Sequence, residues 1–138
     1  MTDQEKIREL KQYRWLLKEE RQLRDELHTL RLQAVPGAIR YDGSGVHADA
    51  GDRMADWAAR IEATERKLTA AIAKAADERR RIETNIGRIR ETRERVVLRM
   101  IYIDGHTQEQ TAEMLDQSPR WIAELHRRGV RHYRSKRQ

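Results

Sequence analysis

Taken as a helix, residues 119–131 set Arg120, Trp121, Glu124, Arg127, Arg128 and Arg131 on one face, with Ile122, Leu125 and Gly129 on the other. The chemistry these side chains offer is recognition of a polyanion. An arginine fork can bridge the two acceptors of a guanine edge, and a glutamate can accept from the amino group of cytosine, so Arg120 and Glu124 are candidates for base edges in a major groove. Trp121 between them can stack or make apolar contact. Arg127, Arg128 and Arg131, followed by Arg134, Lys136 and Arg137, suit phosphate oxygens and would supply affinity and a steep salt dependence. Thr107 and Ser118, hydroxyls at the starts of two short helices, join the phosphate-binding set.

Other chemistry is poorly supported. The five histidines, His28, His47, His106, His126 and His132, include no pair at helical i, i+4 spacing and none beside a carboxylate in a metal-ligand pattern. His126 and His132 fit phosphate or packing roles better. Gly43-Ser44-Gly45 lacks the following Gly-Lys-Ser/Thr of a phosphate-cradling loop. Asp49, Asp52 and Asp56 read as acids near a helix start, favourable to its dipole. With no cysteine, disulfides, thiol nucleophiles and cysteine-ligated metals are excluded. The expectation is a protein that is not an enzyme and uses no metal or cofactor.

The location of charge sharpens this picture. The net charge is +6. Residues 1–117 hold 22 basic and 22 acidic side chains, so the whole excess falls in residues 118–138, where seven basic residues face only Glu124. A neutral body with one strongly basic end is the footprint of a phosphate-binding surface.

Two short helices must present that end. Asp104-Gly105 should break a preceding helix, and Thr107 followed by Gln110 forms a capping box, opening a helix whose inward face is Thr111, Ala112 and Leu115. Asp116-Gln117-Ser118 makes a three-residue turn in which aspartate tolerates a left-handed backbone. Ser118-Pro119 then supplies a cap and a first helical residue. Two helices across a tight turn, the second one basic, make a helix-turn-helix whose second helix reads the major groove by its N-terminal turns.

Upstream, Ile7, Leu10, Tyr13 and Leu17, with Leu16, Leu23, Leu27 and Leu30 on a slightly rotated stripe, describe an amphipathic helix over about residues 3–32. Val35-Pro36-Gly37 and Asp42-Gly43-Ser44-Gly45 make a loop over about residues 34–48. From Asp49 or Asp52 a second helix is expected to run to Ile103, on the order of 80 Å if unbroken, with Gly87 only bending it mildly. Its steps of four and three through Leu68, Ile72, Ala75, Arg79, Ile82, Ile86, Ile89, Arg93, Val96 and Met100 form a heptad seam. Neither stripe can be buried alone, so the simplest solution is an antiparallel hairpin, with dimerisation through leftover seam as the alternative or the addition.

The residues from Arg93-Glu94-Arg95-Val96-Val97-Leu98-Arg99-Met100, through Tyr102-Ile103-Asp104-Gly105-His106-Thr107, to Ser118-Pro119-Arg120-Trp121-Ile122-Ala123-Glu124-Leu125-His126 resemble region 4 of bacterial sigma factors over about 40 residues. That module recognises the −35 promoter element. The Tyr-Ile-Asp-Gly sequence and the upstream hairpin also resemble the sigma-like regulators of phages and prophages in Gram-positive bacteria, including the ArpU type. The resemblance implies a transcription regulator of late phage genes with the helix from Pro119 on DNA. Pro119 stands where primary sigma factors often carry a basic contact residue, and no aromatic, basic helix for melting the −10 element is present.

The combined expectation is an all-α chain: a long coiled-coil-like hairpin over residues 1–92, then a sigma-region-4-like helix-turn-helix over residues 93–138. Its function would be DNA-binding transcription regulation. The alternatives are a phage DNA-packaging recognition subunit of the small-terminase kind and a coiled-coil adaptor that binds RNA polymerase. Double-stranded DNA is the expected partner, with RNA polymerase and a second copy of the chain as further candidates. The polar start and the lack of a run of roughly 20 apolar residues suggest a cytoplasmic protein without membrane attachment.

Overall fold

A computed structural model of the chain describes residues 1–34 and 50–136. The Pro/Gly-rich loop from residue 35 onward, Asp49, His47 and Arg137 lie outside the described residues. Those described form helices without strands: α1 Asp3–Ala34, α2 Ala50–Gly87, α3 Thr92–Leu98, a π-helical turn Arg99–Ile103, α4 Gln108–Met114 and α5 Pro119–His132. No helix among them is long and apolar enough to cross a membrane.

Two compact units are present, Lys18–Ala73 and Met1–Leu17 with Lys74–Gln138. This division differs from the boundary near Arg93 suggested by charge and motif: the helix-turn-helix shares its unit with the first turns of α1 and the last turns of α2. In the unit Lys18–Ala73, the expected stripe of α1 is buried at Leu27 and Leu30, and α2 buries Thr64, Leu68 and Ala71. Arg31 pairs with Glu65 at 3.1 Å. Ile72, placed on the seam by its spacing, is 38% exposed. Ala71 takes the inward position instead, because successive helical residues are about 100° apart and the seam steps by three from Leu68.

In the other unit, Glu9 meets Arg81 at 3.1 Å while Tyr13 meets Arg79, so α1 advances as α2 recedes and the helices are antiparallel there. Leu10, Tyr13 and Leu16 from α1 share a core with Ala75, Ile82 and Ile86 from α2 and with Ile89, Leu98, Tyr102, Ile103, Val130 and Tyr133. Arg79, on the expected seam, turns out to Glu83.

The second helix does not continue to Ile103. It ends at Gly87, where the Arg88 and Ile89 amides close tight turns onto the carbonyls of Asn85 and Ile86. Glu91 then caps α3 by accepting from the Arg93 amide, and the Arg95 guanidinium donates to the freed carbonyls of Ile89 and Arg90 at 2.6 and 2.8 Å. Those contacts supply partners for backbone groups that a helix break otherwise leaves unsatisfied. The break rotates the pattern. Beyond Ile89 the expected seam residues Arg93 and Val96 are exposed, and Val97 and Leu98 are the buried pair.

The end of that segment widens into a π turn, with the Asp104 amide donating to the Arg99 carbonyl at 3.0 Å. Gly105 follows at φ +82°. Its chain reversal is stapled by Arg14 of α1, whose guanidinium donates to the Ile103 carbonyl at 3.2 Å. The left-handed backbone at Gly105 favours glycine, and a Cβ there would stand 2.4 Å from that guanidinium, so any larger residue also displaces the Arg14 side chain.

Candidate nucleic-acid interface

The helix starts form as their sequences dictate. Thr107 accepts from the Gln110 amide at 3.0 Å, while the Gln110 side chain accepts from the Thr107 amide at 2.9 Å, completing the capping box of α4. Such a cap contributes about 1 kcal/mol. Asp116 carries the turn at φ +54°, and Ser118 accepts from the Trp121 amide at 3.1 Å, with Pro119 first in α5.

Packing then fixes the angle of α5. Ile122 and Leu125 bury against Ala112 of α4 and Val97 of α3, and full burial of a side chain such as Ile122 stabilises the fold by about 2 kcal/mol. Gly129 lies under Leu98, whose side-chain atoms would approach an added Cβ to 3.0 Å. The absence of a side chain there is what lets α5 lie so close to α3. A second inward pair, Val130 and Tyr133, reaches the core shared with α1 and α2.

The opposite face of α5 presents Arg120, Arg127, Arg128 and Arg131, and Arg134 and Lys136 are exposed in the segment after it; Thr107 and Ser118 are exposed too, with oxygens that already serve their caps. Trp121 is not a free outward ring: it is half-buried against the Val97–Ile122 cluster. The guanidinium carbons of Arg93 and Arg128 stand 5.6 and 5.4 Å from its ring centroid, a distance at which cation–π attraction is favourable. Arg93, read as a seam residue, thus belongs to this surface. Glu124 accepts from Arg127 through both oxygens, at 3.1 and 2.6 Å, and from Arg128 at 2.9 Å. The hydrogen bonds from Arg127 and then Arg128 hold its carboxyl below the usual range.

The far end of α5 is tied to α1 and α2. Lys6 donates to the Arg131 carbonyl at 2.8 Å, a cation at the negative end of a helix. Buried Asn85 donates to the Tyr133 hydroxyl at 3.3 Å and to the Lys136 carbonyl at 3.2 Å, and Ser135 donates to Glu9 at 2.5 Å. Burial acts to raise the pKa of Glu9, but Ser135, Arg81 and Tyr133 together bring it below the ordinary value. These tethers fix the backbone carrying Arg134 and Lys136, which the sequence alone left as a basic tail.

Both C-terminal histidines have packing partners. The Tyr102 hydroxyl and Nε2 of His126 share a hydrogen bond of 2.6 Å; burial, and then the charge of Lys11, lower the pKa of this imidazole, while burial pushes the Tyr102 phenol up to about 12. His132 Nδ1 lies 2.5 Å from Glu94, a carboxylate only 4% exposed. No group of three His, Cys, Asp or Glu among the described residues could hold a metal ion.

Glu9, Arg14, Asn85, Glu91 and Tyr133 had no part in the sequence reading. Asn85 and Gly87 carried a local signal, a polar residue on an apolar stripe just before a glycine. Glu91 acts locally, through the Arg93 amide, whereas Glu9, Arg14 and Tyr133 act across distances that no spacing rule reports.

The family model for sigma-70, region 4 matches residues 91–135, from the cap of α3 to the segment after α5. No curated protein and no solved structure matches the chain. The C-terminal part is therefore a sigma-region-4-like helix-turn-helix, a DNA-binding type of domain, in a chain whose described residues form helices without strands.

Proposed function

We propose that this chain is a transcription regulator that docks α5 in the major groove of duplex DNA from Pro119 onward. The observation carrying the proposal is the exposed face of Arg120, Arg127, Arg128 and Arg131 on a helix whose other face is locked by Ile122, Leu125 and Gly129, with Arg134 and Lys136 exposed in the segment that follows it. A rigid helix held from behind meets the need of groove readout for fixed donor geometry. Arg120, in the first turn of α5, is the base-reading residue, and the later cations, with Thr107, Ser118 and Arg137, hold phosphates. Trp121 supports this surface through Arg93 and Arg128.

The similarity to sigma region 4 supports promoter DNA as the target and RNA polymerase as the protein partner. The wider sequence resemblance supports phage or prophage genes as the regulated set. Selection of binding sites from a randomised duplex pool tests the proposal. The wild-type chain should enrich one motif, and Arg120→Ala should lose the preference at one base pair, typically about 1–3 kcal/mol of discrimination. Equal retention of all sequences by both proteins would contradict it.

A further inference from the structure

Glu124 occupies the second turn of the recognition helix, where a free carboxylate could accept from cytosine. Its surroundings assign it other work. Both oxygens are engaged by Arg127, one of them also by Arg128, and the two guanidiniums come from positions i+3 and i+4, the two neighbours of Glu124 one turn further along the helix. The side chains of Arg127 and Arg128 are 54% and 46% exposed, so these ion pairs face water and add little to folding stability. What such pairs change is freedom. Long arginine side chains otherwise lose rotamer entropy when they engage a phosphate; Arg128, held through Nε, keeps both terminal nitrogens for one, and Arg127, held through Nε and Nη2, keeps Nη1. Arg128 is fixed from a second side as well, lying 5.4 Å from the Trp121 ring centroid.

We infer that Glu124 is a positioning residue: it sets the guanidiniums of Arg127 and Arg128 for two phosphates and takes no part in reading a base. The inference rests on the DNA-binding reading above. A carboxylate facing a groove lined by phosphates is repelled unless cations accompany it, and here two cations do, leaving the triad with a net positive charge. Preorganisation of this kind acts on affinity equally across sequences.

The test uses the full chain and two probes: a randomised duplex pool, and one fixed duplex at constant salt. A base-reading glutamate converted by Glu124→Gln should move its preference from a C·G to an A·T pair, because glutamine pairs with adenine edges. The positioning role predicts the same enriched motif for Glu124→Gln, Glu124→Ala and wild type. On the fixed duplex, Arg127→Ala should weaken binding about tenfold in the wild-type background and about threefold or less in Glu124→Ala, the non-additivity expected of residues acting as one unit. A shifted base preference, or Arg127→Ala costs equal in the two backgrounds, overturns the positioning role while DNA binding stands. Failure of the wild-type chain to bind either probe overturns both.

Discussion

Asn85, near the end of α2, and Tyr133, immediately after α5, are joined by a buried hydrogen bond of 3.3 Å across 48 residues of sequence. The same amide holds the Lys136 carbonyl, and Arg88 donates to its oxygen at 3.2 Å. The exit of α5 is thereby fixed to the last turns of α2. The helix-turn-helix has two cores, one of its own around Ile122 and one shared through Leu98, Tyr102, Ile103, Val130 and Tyr133.

Two cores imply that residues 91–135 alone are an incomplete folding unit. That fragment should show helical signal without the cooperative thermal transition of the full chain, since five core side chains would face water. Within the full chain, Asn85→Ala should cost about 1–2 kcal/mol in denaturant unfolding, the penalty for leaving buried polar groups unpaired. A fragment melting as sharply as the full chain would refute the shared core.

Gly105 joins the π turn to α4 at φ +82° with Arg14 against it. Alanine there adds left-handed strain and displaces the guanidinium from the Ile103 carbonyl. We expect Gly105→Ala to destabilise the protein by about 1–2 kcal/mol, measured as a lowered Tm. Arg14→Ala should make the second substitution less costly, because the clash is gone.

The pH dependence has two ends. Glu9 is held below its ordinary value of 4.5, so its contribution is present above the unfolded value and is lost as pH falls through the folded one. Tyr133 is pushed by burial from 10 up to about 12, so the fold favours its neutral form, and that contribution is in place below pH 10 and lost as pH rises through about 12. Unfolding curves for wild type and Glu9→Gln should be well separated at about pH 7 and draw together as the pH falls below the ordinary value of 4.5. A separation unchanged across that span would exclude the carboxylate as the source.

The capped helix starts, the Asp116 turn and the inward set Ile122, Leu125 and Gly129 were legible because each depends on residues within a few positions of one another. The break after Gly87 was not. The four-three steps continue through Ile89, Arg93 and Val96, and only the Glu91 cap, Arg95 on the freed carbonyls and the burial of Val97 and Leu98 overrule them. Charge marked the end of the chain whose cations are exposed on and after α5, yet it could not show that Trp121 leans on the core or that Glu124 is already occupied by Arg127 and Arg128. Side chains that meet across a helix face depend on rotamers, and residues such as Glu9 and Ser135 meet only because the whole unit closes.

The central claim, that the exposed cations of α5 and the segment after it bind duplex DNA, is tested most directly by the salt dependence of binding of the full chain to a short duplex. Each phosphate contact adds about −0.9 to the slope of log affinity against log salt, so a steep linear fall is predicted, with Arg131→Ala and Arg134→Ala each making the slope shallower by about one unit. Affinity independent of salt, or a slope unmoved by both substitutions, would contradict the account.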